Sequence, residues 1–545
     1  MRRLVKITVC SLVAGLCALN GQAVSSWRNV GNSWNQAARI DGPRGPSWGW
    51  NATAVAIWRD YAVVGFPGSS FGGDRIGSVK LLKRQANGTW QDDAYLNPYQ
   101  QLDDVILLPL EAFRGWLGAS VSIWNDNTVA AGAPRYGNGN GAAWVFERNG
   151  AAWTKTKLEP GNIPAGARAG ISEQGPLFGH SIAVSGPRVF VGAPGLNRVY
   201  VFVRQALGNW RLETQLNGVA GSQFGHSVSL SGDRAMIGAP LEVGGGAVYV
   251  YERSNAQGWQ SVRAFRNNGG TERLGFAVSI DGTSGVAGMP LADGWLGDNQ
   301  VEDAGGAVFY CKPVTNWICE EEVDPSVPRY ENVYGGAVSL SGNRAAIAAP
   351  GIAVEERDQN DLYLYERTGH DWREIQRLST VENPELGFQF GESVSLRNAR
   401  MAVGGQNQDA AGRIISSAYV YEMKTSAEAL FESVANTVPQ ATATTPSSVL
   451  QNSALEYTVA AQWFGSVASN NSLVVELWDV RNIKVKTDTV SPGAGISPGA
   501  TRVFQFTPTA GNMPVYFKVY QSRPLADRQP GARVTIRAKW LPYEQ

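Results

Sequence analysis

Three histidines occur in 545 residues, at positions 180, 226 and 370, so acid–base chemistry near neutral pH has few side chains to draw on. His180 and His226 each follow a Phe-Gly pair, in LFGHS and QFGHS, and Glu392 holds the corresponding place in QFGES. Two imidazoles and a carboxylate at one recurring position are material for a general acid or base, or for a metal site. Other copies put Ala119, Phe276 and Gly336 there, which makes packing or lining the leading reading. Carboxylates gather in LADGWLGDNQVEDAGG (291–306), where Asp293, Asp298, Glu302 and Asp303 are the weak candidates for a cation. Their spacing fits no calcium loop, and a solvated acidic loop is favoured. No H-E-x-x-H pattern is present, and the Gly-rich GNGNGAA (137–143) opens a strand rather than the helix a phosphate loop needs.

Four cysteines remain to be placed. Cys10 and Cys17 fall in MRRLVKITVCSLVAGLCALNGQA, where Arg2, Arg3 and Lys6 precede an apolar run ending in small residues. That is the form of a secretory signal peptide, residues 1–23, too short to read as a membrane span. Cys17 as a lipidated N-terminus is disfavoured by Leu16 before it. The protein is therefore expected to be secreted, periplasmic or on the cell surface, and in that oxidising setting Cys311 and Cys319 should pair, stapling a hairpin for roughly 2–3 kcal/mol. Without the signal the chain has 44 basic and 47 acidic residues, a balance that excludes a polyanion binder and nucleic acid as partner.

The elements that position these residues come from a repeat. A phrase recurs as FRGWLGASVSIWNDNTVAAGAP (113–134), GPLFGHSIAVSGPRVFVGAP (175–194), SQFGHSVSLSGDRAMIGAP (222–240) and ERLGFAVSIDGTSGVAGMP (272–290). Weaker copies are WNATAVAIWRDYAVVGFP (50–67), NVYGGAVSLSGNRAAIAAP (332–350) and FQFGESVSLRNARMAVGGQ (388–406). Each reads as two short strands about a tight turn. A third alternating strand follows, as in GAVYVYER (246–253), and then a fourth opening on Trp90, Trp153, Trp210, Trp259, Trp317 or Trp372. The last copy lacks its tryptophan, but Trp34 sits in an equivalent stretch at the N-terminus, SWNQAARI (33–40). An N-terminal strand would then complete the final sheet and leave no open edge.

This pattern resembles the FG-GAP repeats of integrin α-subunits and of bacterial extracellular proteins. The resemblance implies an all-β fold, a seven-bladed β-propeller over 24–425. It does not bring calcium with it: the turns WNDNT (124–128), SGPR (185–188), SGDR (231–234) and SGNR (341–344) are too short and too poor in carboxylates, so no cofactor is expected. Residues 426–452, SAEALFESVANTVPQATATTPSSVLQN, read as a helical turn or two and then a Thr/Ser/Pro-rich linker. Alternating runs from 453 to 545 predict a small β-sandwich, in which Trp463, Trp478 and Trp540 are read as core before sugar platform.

The function expected from this reading is non-enzymatic: one rim of the propeller recognising an extracellular protein or glycan, with Phe71, Asp74, Arg75, Tyr136, Trp295 and Asp298 as contacts. A multivalent lectin is one alternative. A propeller hydrolase or lyase is the other, with Glu392, His180 and His226 lining the channel.

Overall fold

The protein is seen in a computed structural model that describes residues 28–540 apart from loop stretches, the longest within the repeats being 45–52, 108–114, 161–174 and 352–358, with further ones after 434. The signal-peptide region and His370 lie outside the described residues. The chain is all-β save for short helical turns, and it divides into a unit of residues 32–424 and a unit built chiefly from 425–543.

Each repeat phrase folds into two antiparallel strands, because small and branched residues alternate on either side of a tight turn of positive φ, which falls on glycine in four copies and on Arg59, Asn125 and Asn398 in the others. In 175–194 these are Ser181–Ser185 and Arg188–Ala193, turning at Gly186 with φ of 58°. Arg198–Ala206 and Asn209–Asn217 add the third and fourth strands in sequence order. Five further four-stranded sheets have this plan, beginning at Ala54, Ser120, Ser227, Val278 and Ala337. The last sheet takes Phe388–Arg397, Arg400–Gln408 and Ile414–Val434 from the end of the repeats, and Arg28–Arg44 pairs with the third of these. Trp34 is buried there beside Tyr419, Tyr421 and Leu364.

The apolar core lies between successive sheets rather than within one. Val129 and Phe146 meet Val63 and Leu81 of the preceding sheet, Val191 and Phe202 meet Val145, and Ala402, Ala418 and Val420 of the last sheet meet Val55, Ile57 and Val64 of the first. The repeat's two signature ends are partners across this interface. A Cβ on Gly132, Gly192, Gly238 or Gly288 would stand 1.8–2.1 Å from the carbonyl oxygen of Gly179, Gly225, Gly275 or Gly335 in the next repeat. Those partner glycines all have φ near +90°, so both positions exclude a side chain for different reasons. Serines add a hydrogen-bonded seam: Ser122, Ser229, Ser279 and Ser339 each accept an N–H from the next sheet's first strand, of Val184, Ile280, Leu340 and Leu396. Ser395 does the same for Ile57, linking the last repeat to the first.

At the outer side the acid that ends a third strand latches the neighbouring sheet. Glu147 accepts from Trp210 Nε1 at 2.9 Å and the Gly208 N–H at 2.7 Å; Glu252 accepts from Lys312 Nζ at 2.6 Å and Trp317 Nε1 at 3.1 Å. Glu422 takes Arg84 Nε at 2.5 Å.

The expected bridge between Cys311 and Cys319 is not formed. Cys311 faces Ile318 across the strand pair and Cys319 faces Tyr310, next to a bulge. Neighbouring strand residues point to opposite faces, so the two thiols leave the sheet on opposite sides.

The second unit has strands in the orders Thr425–Val434, Ala532–Trp540, Leu455–Trp463, Gly499–Phe506 and Gln440–Thr444, Val515–Gln521, Leu473–Asp479, Lys484–Val490. Val459, Val534 and Ile536 are buried in one sheet and Val475, Leu477, Phe517 and Val519 in the other. The expected helical turns after Lys424 are corrected: Thr425–Phe431 run extended against Ala532–Trp540, the sheet edge overriding the helix preference of SAEAL. Trp478 Nε1 donates to Glu476 at 2.9 Å.

Candidate active site at the inner ends of the first strands

In six sheets a glycine (Gly118, Gly179, Gly225, Gly275, Gly335 or Gly391) precedes the first strand's continuous ladder, and the residue after it, like Thr53 in the remaining sheet, stands just before that strand engages its neighbours. Thr53, Ala119, His180, His226, Phe276, Gly336 and Glu392 hold this position in the successive repeats. The His180 and His226 rings have centroids 4.9 Å apart at an interplanar angle of 54°, and the His226 and Phe276 rings 4.6 Å apart at 44°. His226 Nδ1 is 3.0 Å from the Phe276 carbonyl oxygen. A carbonyl can only accept, so Nδ1 carries the hydrogen and Nε2 keeps its lone pair. On the last repeat the Thr53 N–H donates to Glu392 Oε2 at 3.4 Å, and the Ser393 hydroxyl donates to the Thr53 carbonyl.

These three titratable groups are half-buried, walled by protein yet still touched by solvent. Desolvation pulls His180 down to about 4. Desolvation, then the neighbouring His180 and Arg273, pulls His226 down to about 3 against the opposing Phe276 carbonyl. Desolvation pushes Glu392 up to about 7, with only the Thr53 N–H working the other way. At neutral pH the site therefore holds two uncharged imidazoles and a carboxyl that is part acid, part base.

The rim residues fare differently. Tyr136 is half-buried, edge-on to Trp144 at 5.5 Å and packed on the apolar cluster of the first two sheets, with Lys157 Nζ 5.0 Å from its ring. Phe71 and Asp74 pair across a two-residue ladder with Ser70 and Arg75, but the side chains of Phe71, Asp74, Arg75 and Trp295 lie outside the described residues, as does Asp298. Asp293 is exposed and accepts from Gln300 Nε2 at 2.5 Å and the Asp303 N–H at 3.2 Å. Among the described residues no group of three or more His, Cys, Asp or Glu is placed to hold a metal ion.

The chain carries an FG-GAP repeat: the family model described as FG-GAP repeat matches residues 214–251, from the end of one sheet's fourth strand into the third strand of the next. No curated protein matches the chain. Similar solved structures include a protein from Lactobacillus plantarum, 14% identical with a TM-score of 0.41, covering 62% of this chain and 90% of its own. The periplasmic gluconolactonase PpgL of Pseudomonas aeruginosa is 14% identical with a TM-score of 0.35 over 60% and 85%. A provisionally described 6-phosphogluconolactonase from Bacteroides fragilis is 8% identical with a TM-score of 0.40 over 64% and 91%. Two of these three are described as lactonases, against the expectation of a non-enzymatic binding protein, and that expectation is not kept. At such identities and TM-scores, the activity has to be argued from this chain's own residues.

Proposed function

We propose that the chain is a secreted hydrolase built on a closed, seven-bladed FG-GAP β-propeller, with a C-terminal β-sandwich, and that its chemistry lies at the inner end of the blades. Closure is supported by the last repeat's contacts with the first: Ser395 to Ile57, Glu422 to Arg84, and the shared apolar cluster. The seven equivalent positions before the first strands then face one channel mouth, with Glu392 three blades from His180 in one direction and three from His226 in the other.

The observation that carries the reading is Glu392, whose carboxyl is pushed up to about 7 in a half-open setting. A group divided between its two forms at working pH is suited to take a proton and give it back. Glu392 is the one carboxyl among these seven positions, where retaining and inverting glycosidases need two, so the reaction favoured is acyl hydrolysis. The oxygen of a water bonds to the acyl carbon while its proton passes to the Glu392 carboxylate. As the bond to the leaving oxygen breaks, Glu392 returns that proton to it.

The test is hydrolysis of a panel of aryl esters and sugar lactones by the purified protein. Turnover of at least one is expected, with kcat/KM rising through about pH 7 because the carboxylate is the active base, and Glu392→Gln should lower it by roughly 10²–10⁴-fold. No turnover across the panel, or turnover equal in wild type and variant, would sink the assignment.

A further inference from the structure

We infer that His180 and His226 form a two-imidazole seat for a late first-row divalent cation, with Zn²⁺ and Cu²⁺ the best fits, whose remaining coordination positions are filled by water. The seat is distinct from the proton transfer assigned to Glu392 and does not depend on it.

Three observations converge. The first is spacing. A metal–imidazole bond of about 2.0–2.1 Å puts the ion roughly 3.2 Å from a ring centroid. Two rings with centroids 4.9 Å apart then subtend an angle of roughly 100° at a shared ion, inside the range that tetrahedral and octahedral centres use. The second is the tautomer. The His226 Nδ1–H is engaged by the Phe276 carbonyl at 3.0 Å, the outer contact that typically fixes a ligating histidine and aims its other nitrogen's lone pair at a metal. The third is that the fold makes no demand for histidine here. Neighbouring repeats fill the same position with Ala119 or Gly336, yet two of the chain's three histidines stand at this level in adjacent repeats. Among the described residues no hydrogen bond engages the His180 ring.

Arg273, whose charge reaches His226, opposes a cation, and two protein ligands hold an ion less firmly than three. The affinity expected is therefore micromolar, that of an exchangeable ion and not of a structural one.

The experiment titrates Zn²⁺ into chelator-stripped full-length protein by calorimetry and follows Cu²⁺ by electron paramagnetic resonance. Wild type should bind one equivalent, with nitrogen hyperfine structure on copper. His180→Ala and His226→Ala should each weaken binding at least tenfold, the double variant should abolish it, and Glu392→Gln should leave it within about threefold. Should His226→Ala lose structure by circular dichroism, His226→Phe, which installs the next repeat's residue, supplies the same comparison. Folded wild type that takes up no ion, or binding unchanged in the double histidine variant, would overturn the inference. Because the readout is binding, failure of the seat and failure of the hydrolase reading are told apart.

Discussion

Glu252 and Glu392 are the same side chain in the same repeat architecture, yet the protein pushes their proton affinities in opposite directions. Glu252 ends a third strand at the outer side. Burial alone would raise it, but Lys312 Nζ at 2.6 Å, Trp317 Nε1 at 3.1 Å and Arg234 outweigh that and hold it below the usual carboxylate range. Glu392 stands at the inner end, where the same desolvation meets one N–H at 3.4 Å and carries the carboxyl up to about 7. The outer acids are spent on joining sheets. The inner one is left with proton affinity to use, and where burial and compensation part company is where chemistry is to be sought.

The most severe way to break the outer half of this comparison is Glu422→Ala. Glu422 is 6% exposed, with Arg84 at 10% and Arg400 at 8%. Arg400 keeps Asp60 at 3.2 Å, but the Arg84 guanidinium is left in a dry interface without its carboxylate. A loss of about 3 kcal/mol in urea unfolding is expected, from the contact that joins the last repeat to the first. A cost below about 1 kcal/mol would mean that the latch is decorative, as surface pairs are.

For the inner half the smaller and more specific test is the stability of Glu392→Gln against pH. The folded-state value is raised from 4.5 to about 7, so between those pH values the folded protein holds a proton the unfolded chain has released. Wild-type stability therefore falls as pH rises through this window and levels off above it. Glutamine carries no such charge. At about pH 4.5 the two proteins should be alike, and at pH 8 the variant should be more stable by on the order of 2 kcal/mol, less than the full shift because solvent reaching this half-buried side chain screens part of the cost. Parallel stability curves would show that Glu392 is ordinarily solvated.

Most of the frame was legible in the sequence because its constraints are local and recur. Phe-Gly and Gly-Ala-Pro mark positions where a neighbouring backbone leaves no room for a Cβ, and Trp34 in an equivalent stretch pointed to the N-terminal strand. The position of His180, His226 and Glu392 was equally readable, since each follows the same glycine. Their electrostatics were not, because desolvation depends on how closely successive sheets approach, and periodicity does not encode that distance. The strand from Thr425 was hidden because its partner, Ala532–Trp540, is more than a hundred residues away.

The smallest effect expected concerns the hairpin that carries half of the Glu252 latch. Two cysteines in a short hairpin suggest a covalent staple, but the register sets Cys311 against Ile318 and Cys319 against Tyr310. Burial and the nearby Glu322 raise the Cys319 thiol, which disfavours the thiolate that disulfide exchange requires. Lys312 and Trp317 lie between these cysteines, and both donate to Glu252 of the preceding sheet, so the hairpin is already anchored by charge and indole. Denatured, non-reduced protein should titrate two thiols in addition to any contributed by residues 1–23, and reductant should shift Tm by less than about 1 °C, whereas a staple worth a few kcal/mol would move it by several degrees. Lys312→Met should lower stability more than reduction does. The opposite ranking would mean that in solution a sulfur bridge, and not the outer carboxylate, holds this edge.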